Sequence, residues 1–350
     1  MDEKKHTRRP HYSGSYPKRF SEKYKERDPE KYADTVEKVI RKGSTPAGMH
    51  IPIMADEILS VLKIRPGETG LDCTLGYGGH SSKMAAALEG KGHLFALDVD
   101  PVEIEKTKER MVKKGFGPDI FTAVRTNFRN IDLVAKEHGP FDFLLADLGV
   151  SSMQIDDPSR GFSYKTDGPL DLRLDPSSGR PASGLLPLMS GEDLYGMLLE
   201  NADEPFAKEI SSAIREACRK RRAPETTKEL KEIVEKALEK PLRSLSPDER
   251  QDALKRSLAR TFQAIRIDVN SEFEVLEEFL TKLPGVLSEH GRAAILTFHS
   301  GEDRLVKDHF RAGLRDGLYS EVSKDVVRAG TEECFRNPRS RSAKLRYALK

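Results

Sequence analysis

Three glycines fall within four positions in Leu75-Gly76-Tyr77-Gly78-Gly79-His80-Ser81, between the apolar run Leu71-Asp72-Cys73 and the helix-forming residues 82–88. Glycine tolerates positive φ and carries no Cβ, so this backbone can approach a ligand closely while the N–H groups of the following helix point at its polar atoms. A second apolar run, 93–97, ends in Asp98, about twenty residues after the turn, at the offset where a carboxylate accepts hydrogen bonds from both hydroxyls of a ribose. The pair predicts a site for an adenosine-containing cofactor. Ser81 stands where the dinucleotide fingerprint G-x-G-x-x-G needs its third glycine, so the fit to a nicotinamide cofactor is imperfect.

A third run, Phe141-Asp142-Phe143-Leu144-Leu145-Ala146-Asp147, also closes on a carboxylate, and Leu148-Gly149-Val150-Ser151-Ser152-Met153-Gln154 follows it with hydroxyls and an amide. In a doubly wound sheet the turn, Asp98 and Asp147 all reach one ligand-binding edge. The bland alternative is a solvated loop with capping serines.

The elements that must position these residues alternate. A helix from 53 to 62, the strand before the turn, a helix near 83–88, the strand to Asp98, a helix over 101–113, a strand over 120–125 and the strand to Asp147 predict a parallel α/β, Rossmann-like doubly wound sheet. Residues 156–185 break the alternation with Pro158, Pro169, Pro176 and Pro181. Helical periodicity then takes over, with Ala207, Ile210, Ile214 and Ala217 on one face and Leu230, Ile233, Val234 and Ala237 on another, and with Thr226-Thr227 as a cap. The core resumes with a helix over 271–283, a strand over 293–298, a helix near 302–310 and a strand over 343–349. The expected organisation is therefore a tail at 1–45, a first core part at 46–155, an inserted turn-rich and helical domain at 156–260 and a second core part at 261–350.

Composition narrows the classes. Of the 350 residues 33% are charged, yet the net charge is only +2, so any polyanion face must come from local clusters. Residues 1–45 hold thirteen Lys/Arg against eight Asp/Glu, with tyrosines at 12, 16, 24 and 32, and read as a basic, disordered tail with a short helix around 34–41; a solvated spacer is favoured over RNA contact. Cys73, Cys218 and Cys334 lie far apart without zinc-ligand or disulfide-framework spacing, and no apolar run approaches the eighteen or so residues that cross a bilayer. A reducing cytoplasm is expected.

From about His50 to Leu349 the chain resembles the bacterial small-subunit ribosomal RNA cytosine-N4 methyltransferases, which use S-adenosylmethionine. The resemblance runs through the 76–81 turn, Asn127-Phe128, Asp147-Leu148-Gly149-Val150-Ser151-Ser152, Arg160-Gly161-Phe162-Ser163, Asp167-Gly168-Pro169-Leu170-Asp171-Leu172-Arg173, Arg260-Thr261-Phe262-Gln263-Ala264-Ile265-Arg266, Phe298-His299-Ser300 and Asn337-Pro338-Arg339-Ser340-Arg341-Ser342-Ala343-Lys344. Departures include Tyr77, Leu75, Gly301 and the stretch 201–205, more on the acceptor side than the cofactor side.

The resemblance implies that Gly78, Gly79, His80, Asp98, Phe128, Asp147 and Gln154 contact the cofactor. The amine of a cytosine acceptor would be served by Asp147, Ser151 and Ser152, and His299, at the end of the strand over 293–298 near the cofactor edge, is placed to face the base. In-line methyl transfer from a sulfonium asks for alignment and a dry pocket, so no metal or covalent nucleophile is expected. Arg160, Arg173, Arg260, Arg266, Arg339, Arg341 and Lys344 are the candidates for RNA phosphates, with Arg180, Arg304 and Arg346 adding charge, set against internal ion pairs with Asp156, Asp157, Asp167, Asp171, Glu302 or Asp303, which are expected to use at least half of these arginines. The implied partner is small-subunit ribosomal RNA, within a small ribosomal particle, and a homodimer is left open. A catalytically silent RNA- or ribosome-binding relative, and a methyltransferase for another RNA or DNA cytosine, remain the alternatives.

Overall fold

A computed structural model describes residues 52–150, 154, 155 and 157–350. The expected basic tail, its short helix, and Ser151, Ser152 and Asp156 lie outside the described residues.

Helix α1 (Ala55–Leu62) precedes β1 (Thr69–Asp72), α2 (Gly79–Ala87), β2 (His93–Asp98), α3 (Pro101–Lys113), β3 (Phe121–Arg125), α4 (Ile131–His138) and β4 (Phe141–Asp147). The insertion contains α5 (Ala182–Leu185), α6 (Gly191–Ala202), α7 (Ala207–Arg219), α8 (Thr227–Leu238) and α9 (Pro247–Asn270). Then come α10 (Glu272–Val286), β5 (Leu287–Thr297), α11 (Ser300–Arg315), β6 (Glu321–Val322), α12 (Thr331–Arg336) and β7 (Lys344–Leu349).

The strands form one seven-stranded sheet in the order β3-β2-β1-β4-β5-β7-β6, parallel except for β7, which runs antiparallel to both neighbours. β1 lies between β2 and β4, so the winding reverses there and the carboxyl ends of β1, β2 and β4 flank the crevice where ligands of open α/β sheets bind. The expected α/β, doubly wound sheet is present.

Side-chain alternation divides the core. Leu144 and Ala146 pack with Ile131, Phe279, Leu283 and Phe310 on one face, while Phe143 and Leu145 pack with Ile58, Met84 and Ile104 on the other. Both faces of β4 are covered, which is why its sequence reads as a nearly unbroken apolar run.

The insertion has its own core, in which Leu170 and Leu172 of the turn-rich stretch join Ile210, Ile214, Leu230, Val234 and Phe262. Three of its helices, α6, α8 and α9, start on Ser190, Thr226 and Ser246, each closing a reciprocal capping box with an acid three residues on. Thr226 is thus the cap expected from sequence. The expected domain boundary at residue 260 falls inside α9, whose Phe262, Ala264 and Ile265 still pack into the helical core; the chain turns only at Ser271, with φ 48°. Helix α4 was not read from sequence: at eight residues, with Ile131 and Val134 as its buried positions, it offers too short a periodic signal.

Candidate methyl-transfer site

Asp72, the last residue of β1, is buried and pins both ends of the glycine turn. One carboxylate oxygen accepts from Thr74 N–H at 3.0 Å and the other from Ser81 Oγ at 2.5 Å. Burial pushes its carboxyl above the ordinary range, against the lowering effect of the Ser81 and Thr74 hydrogen bonds. Ser81 is therefore a strut where the dinucleotide fingerprint has a glycine. Gly78 caps α2 at φ 76°, and a Cβ there would lie 2.7 Å from Thr107 Cγ2, so this position needs glycine for both backbone and space. No side chain caps α2, which leaves its first N–H groups for another acceptor.

Asp98, at the end of β2, accepts from Gly76 N–H at 2.8 Å and from Asp100 N–H at 2.9 Å, and Gly76 O in turn accepts from Thr107 Oγ1 at 2.6 Å. Burial, the largest influence, raises the Asp98 carboxyl to about 6 despite these N–H donors. Each carboxylate oxygen keeps acceptor capacity beyond its backbone bond.

Across the crevice, Asp147 N–H donates to Thr74 Oγ1 at 2.7 Å, fastening the end of β4 to the turn. Its Oδ2 lies 3.4 Å from His80 Nε2, a buried nitrogen that lacks a well-aligned hydrogen bond. Phe128 opens a short 3-10 turn after β3, half-buried, its ring edge-on to Phe279 at 5.2 Å. Gln154 is half-buried. The glycine turn, His80, Asp98 and Asp147 thus meet at one rim.

β5 lies beside β4 on the other side of this edge. Leu296 pairs in register with Asp147, and His299, three residues on, caps α11 by accepting Glu302 N–H at Nδ1, 3.4 Å. Its Nε2 lies 3.1 Å from Glu302 Oε1, close enough for an ion pair but poorly aligned for a hydrogen bond. Arg266 forks onto Glu272 at 2.8 and 2.9 Å. Burial alone raises Glu302, but His299, then the Phe298 N–H and Arg266, outweigh it and hold the carboxyl below its ordinary value. Ligand atoms of Glu272, His299 and Glu302 lie within 4.8 Å of one another. The guanidinium already on Glu272 makes this a charge network rather than a cation cage.

The RNA candidates divide. Arg160 pairs with buried Asp100 at 2.7 Å and donates to the Arg173 and Leu174 carbonyls; Arg173 forks onto Asp171; Arg266 holds Glu272; Lys344, with Arg346, serves Asp303. These cations are committed internally, but Asp100 and Glu272 were not among the anticipated partners. Arg260 is half-buried, and Arg339 and Arg341 are exposed.

The Arg160–Asp100 pair ties the insertion to the cofactor edge, because Asp100 N–H is itself a donor to Asp98. Side-chain exposures of 17% and 1% put the pair largely out of water. Arg160→Ala strands a buried carboxylate and is expected to cost about 3–5 kcal/mol, measured by urea unfolding; a loss below about 1 kcal/mol would show that the strut is dispensable.

A family model described as the MraW methylase family matches residues 47–350. The chain belongs to that family. Among its curated relatives, a ribosomal RNA small subunit methyltransferase H 1 of Lachnoclostridium phytofermentans is 59% identical over 345 residues, 99% of this chain and 93% of the relative. One of the same name in Agathobacter rectalis is 58% identical over 349 residues, 100% of this chain and 99% of the relative. A ribosomal RNA small subunit methyltransferase H of Anaeromyxobacter dehalogenans is 39% identical over 318 residues, 86% of this chain and 97% of the relative.

Within this methylase, three supporting residues escaped the sequence reading. Asp72 ends its strand on an acid just as Asp98 and Asp147 do, and Asp100-Pro101 is a helix-start signature, so both were available to it. Glu272 has no local signal; only the fold brings it to Arg266.

Proposed function

We propose that the chain transfers a methyl group from S-adenosylmethionine to the exocyclic N4 of a decoding-centre cytidine in small-subunit ribosomal RNA. The observation that carries the reading is the convergence of the glycine turn, Asp98 and Asp147 at one sheet edge, in a member of a methylase family whose relatives are named for small-subunit ribosomal RNA.

The donor set suits the cofactor. Asp98 has acceptor capacity for ribose hydroxyls, Phe128 offers a ring edge for adenine, and Gly78, Gly79, Gln154, Asp147 and the orphaned His80 Nε2 supply polar contacts. When bound, S-adenosylmethionine supplies an electrophilic methyl carbon on a sulfonium. The protein's task is then the amine, whose lone pair is shared with the cytosine ring. Asp147, with Ser151 and Ser152, accepts the N4–H groups, favours a pyramidal nitrogen and takes up the proton released on transfer. His299, held by Glu302, faces the base from the end of β5. The target nucleotide enters unstacked, because N4 is unreachable inside a helix.

The substrate is expected within a small ribosomal particle in the cytoplasm, with Arg260, Arg339 and Arg341 meeting phosphates, and the enzyme may be tested as a homodimer by sedimentation. The decisive experiment compares nucleosides from small-subunit ribosomal RNA with and without the gene. Loss of N4-methylcytidine from the decoding centre is expected on deletion. An unchanged level there, with cofactor binding intact by calorimetry, overturns the target and leaves the methylase chemistry standing.

A further inference from the structure

We propose that Phe335 is a stacking platform for an unpaired nucleobase next to the target nucleotide, a role that rests on the RNA reading above. At 83% exposure Phe335 is the most exposed large hydrophobic among the described residues, and no other exposed large hydrophobic lies between residues 319 and 350. It is therefore not part of an apolar patch along its own segment, as a self-association face would require.

Its neighbours along the chain are tied into the fold while Phe335 itself stays exposed. Cys334 Sγ sits 3.7 Å from Ala329 O and accepts from Ser340 Oγ at 3.7 Å, Asn337 N–H donates to Glu333 O at 2.7 Å, and Glu333 Oε1 accepts Met54 N–H at 2.8 Å. These contacts gather residues 329, 334 and 340 into one knot, with Phe335 exposed beside Cys334. The knot stands at the reaction edge, because β7 begins at Lys344 opposite Thr297, two residues before His299, and Val327 bridges Leu345.

Charge around the ring favours a polyanion. Arg328, Arg336, Arg339 and Arg341 are all exposed and lie within one or two residues of the knotted positions. Arg336 is paired with Glu332, whereas the guanidiniums of Arg328 and Arg341 have no hydrogen-bond or ion-pair partner among the described residues. An exposed aromatic side chain on a segment rich in exposed cations suits single-stranded nucleic acid, since every base offers a π-face and every linkage a phosphate. A substrate flipped out for methylation leaves neighbouring bases unstacked, and such a platform recovers that stacking.

The chain contains no tryptophan, so Phe335→Trp in the full-length protein creates a single fluorescent reporter at the site. Its emission is expected to be quenched by a single-stranded oligoribonucleotide spanning the target, and not by inorganic polyphosphate or a blunt RNA duplex. Phe335→Ala is expected to raise the Kd for the same oligonucleotide about tenfold, with affinity for S-adenosylmethionine and thermal stability unchanged, because the ring contributes almost nothing to the core. The proposal is overturned if Phe335→Ala binds the oligonucleotide as tightly as wild type, if polyphosphate quenches as well as RNA, or if the substitution only shifts a dimer towards monomer in sedimentation. Wild-type protein that neither binds nor methylates the RNA sinks the functional reading as well; normal methylation with an indifferent Phe335 sinks this proposal alone.

Discussion

Asp98→Asn is expected to raise the Kd for S-adenosylmethionine by about a hundredfold, read by isothermal titration. Hydrogen bonds to a charged acceptor contribute about 1.5–3 kcal/mol each, and asparagine replaces one acceptor oxygen with a donor that faces either Gly76 N–H or Asp100 N–H. Wild-type binding carries a matching pH signature. Because burial places the free-protein carboxyl at about 6, it becomes protonated as pH falls through that value, and affinity is expected to drop about tenfold per pH unit below it.

Stability has the opposite sign. Between the ordinary carboxylate value of 3.8 and about 6 the folded chain holds the extra proton, so the contribution of Asp98 to stability declines as pH rises through that window and is unfavourable above it. Cofactor affinity that is flat from pH 5 to 8, or an Asp98→Asn protein that binds normally, rules out the ribose role. A variant that fails to bind because it has unfolded, seen as a collapsed melting temperature, assigns the residue to the turn instead.

Asp147→Asn should lower kcat by about 10²–10³, the usual effect of removing one preorganised group that acts on charge developing in the transition state. The amide keeps the size of the side chain and the backbone bond to Thr74. It loses the charge that meets the amine proton. Single-turnover methylation of the RNA, alongside cofactor titration, separates the two assignments of this carboxylate. If kcat falls while the cofactor Kd moves less than about threefold, Asp147 works on the acceptor. If the Kd rises as far as turnover falls, it belongs to the cofactor, and Ser151, Ser152 and His299 must carry the amine. Since His80 Nε2 is 3.4 Å from Asp147, the asparagine also tests whether that histidine depends on the charge.

The cofactor edge was legible in sequence because its determinants are local. Glycines at 76, 78 and 79, the acids closing β1, β2 and β4 and the alternation of strand and helix are short-range features of backbone sterics and burial, and they direct Gly78, Asp98 and Asp147 to one sheet edge. The resemblance added Phe128 and a cofactor role for His80 and Gln154, residues whose types alone point to nothing in particular. Which arginines are available was not legible. Arg160, Arg173, Arg266, Arg339 and Arg341 look alike along the chain, yet the fold delivers buried Asp100 to the first, Asp171 to the second and Glu272 to the third, while Arg341 stays exposed.

The sequence by itself determined the sheet, the glycine turn and the strand-terminal carboxylates, since periodicity and φ preference act over a few residues. Only the tertiary structure decided that Ser81 braces Asp72, that Arg160 joins the insertion to the Asp98 turn, and that Phe335 stands exposed on the same segment as the exposed Arg328 and Arg341. Those outcomes depend on which distant groups share a small volume from which water is excluded, and ion pairing and burial there follow from three-dimensional proximity, not from spacing along the chain.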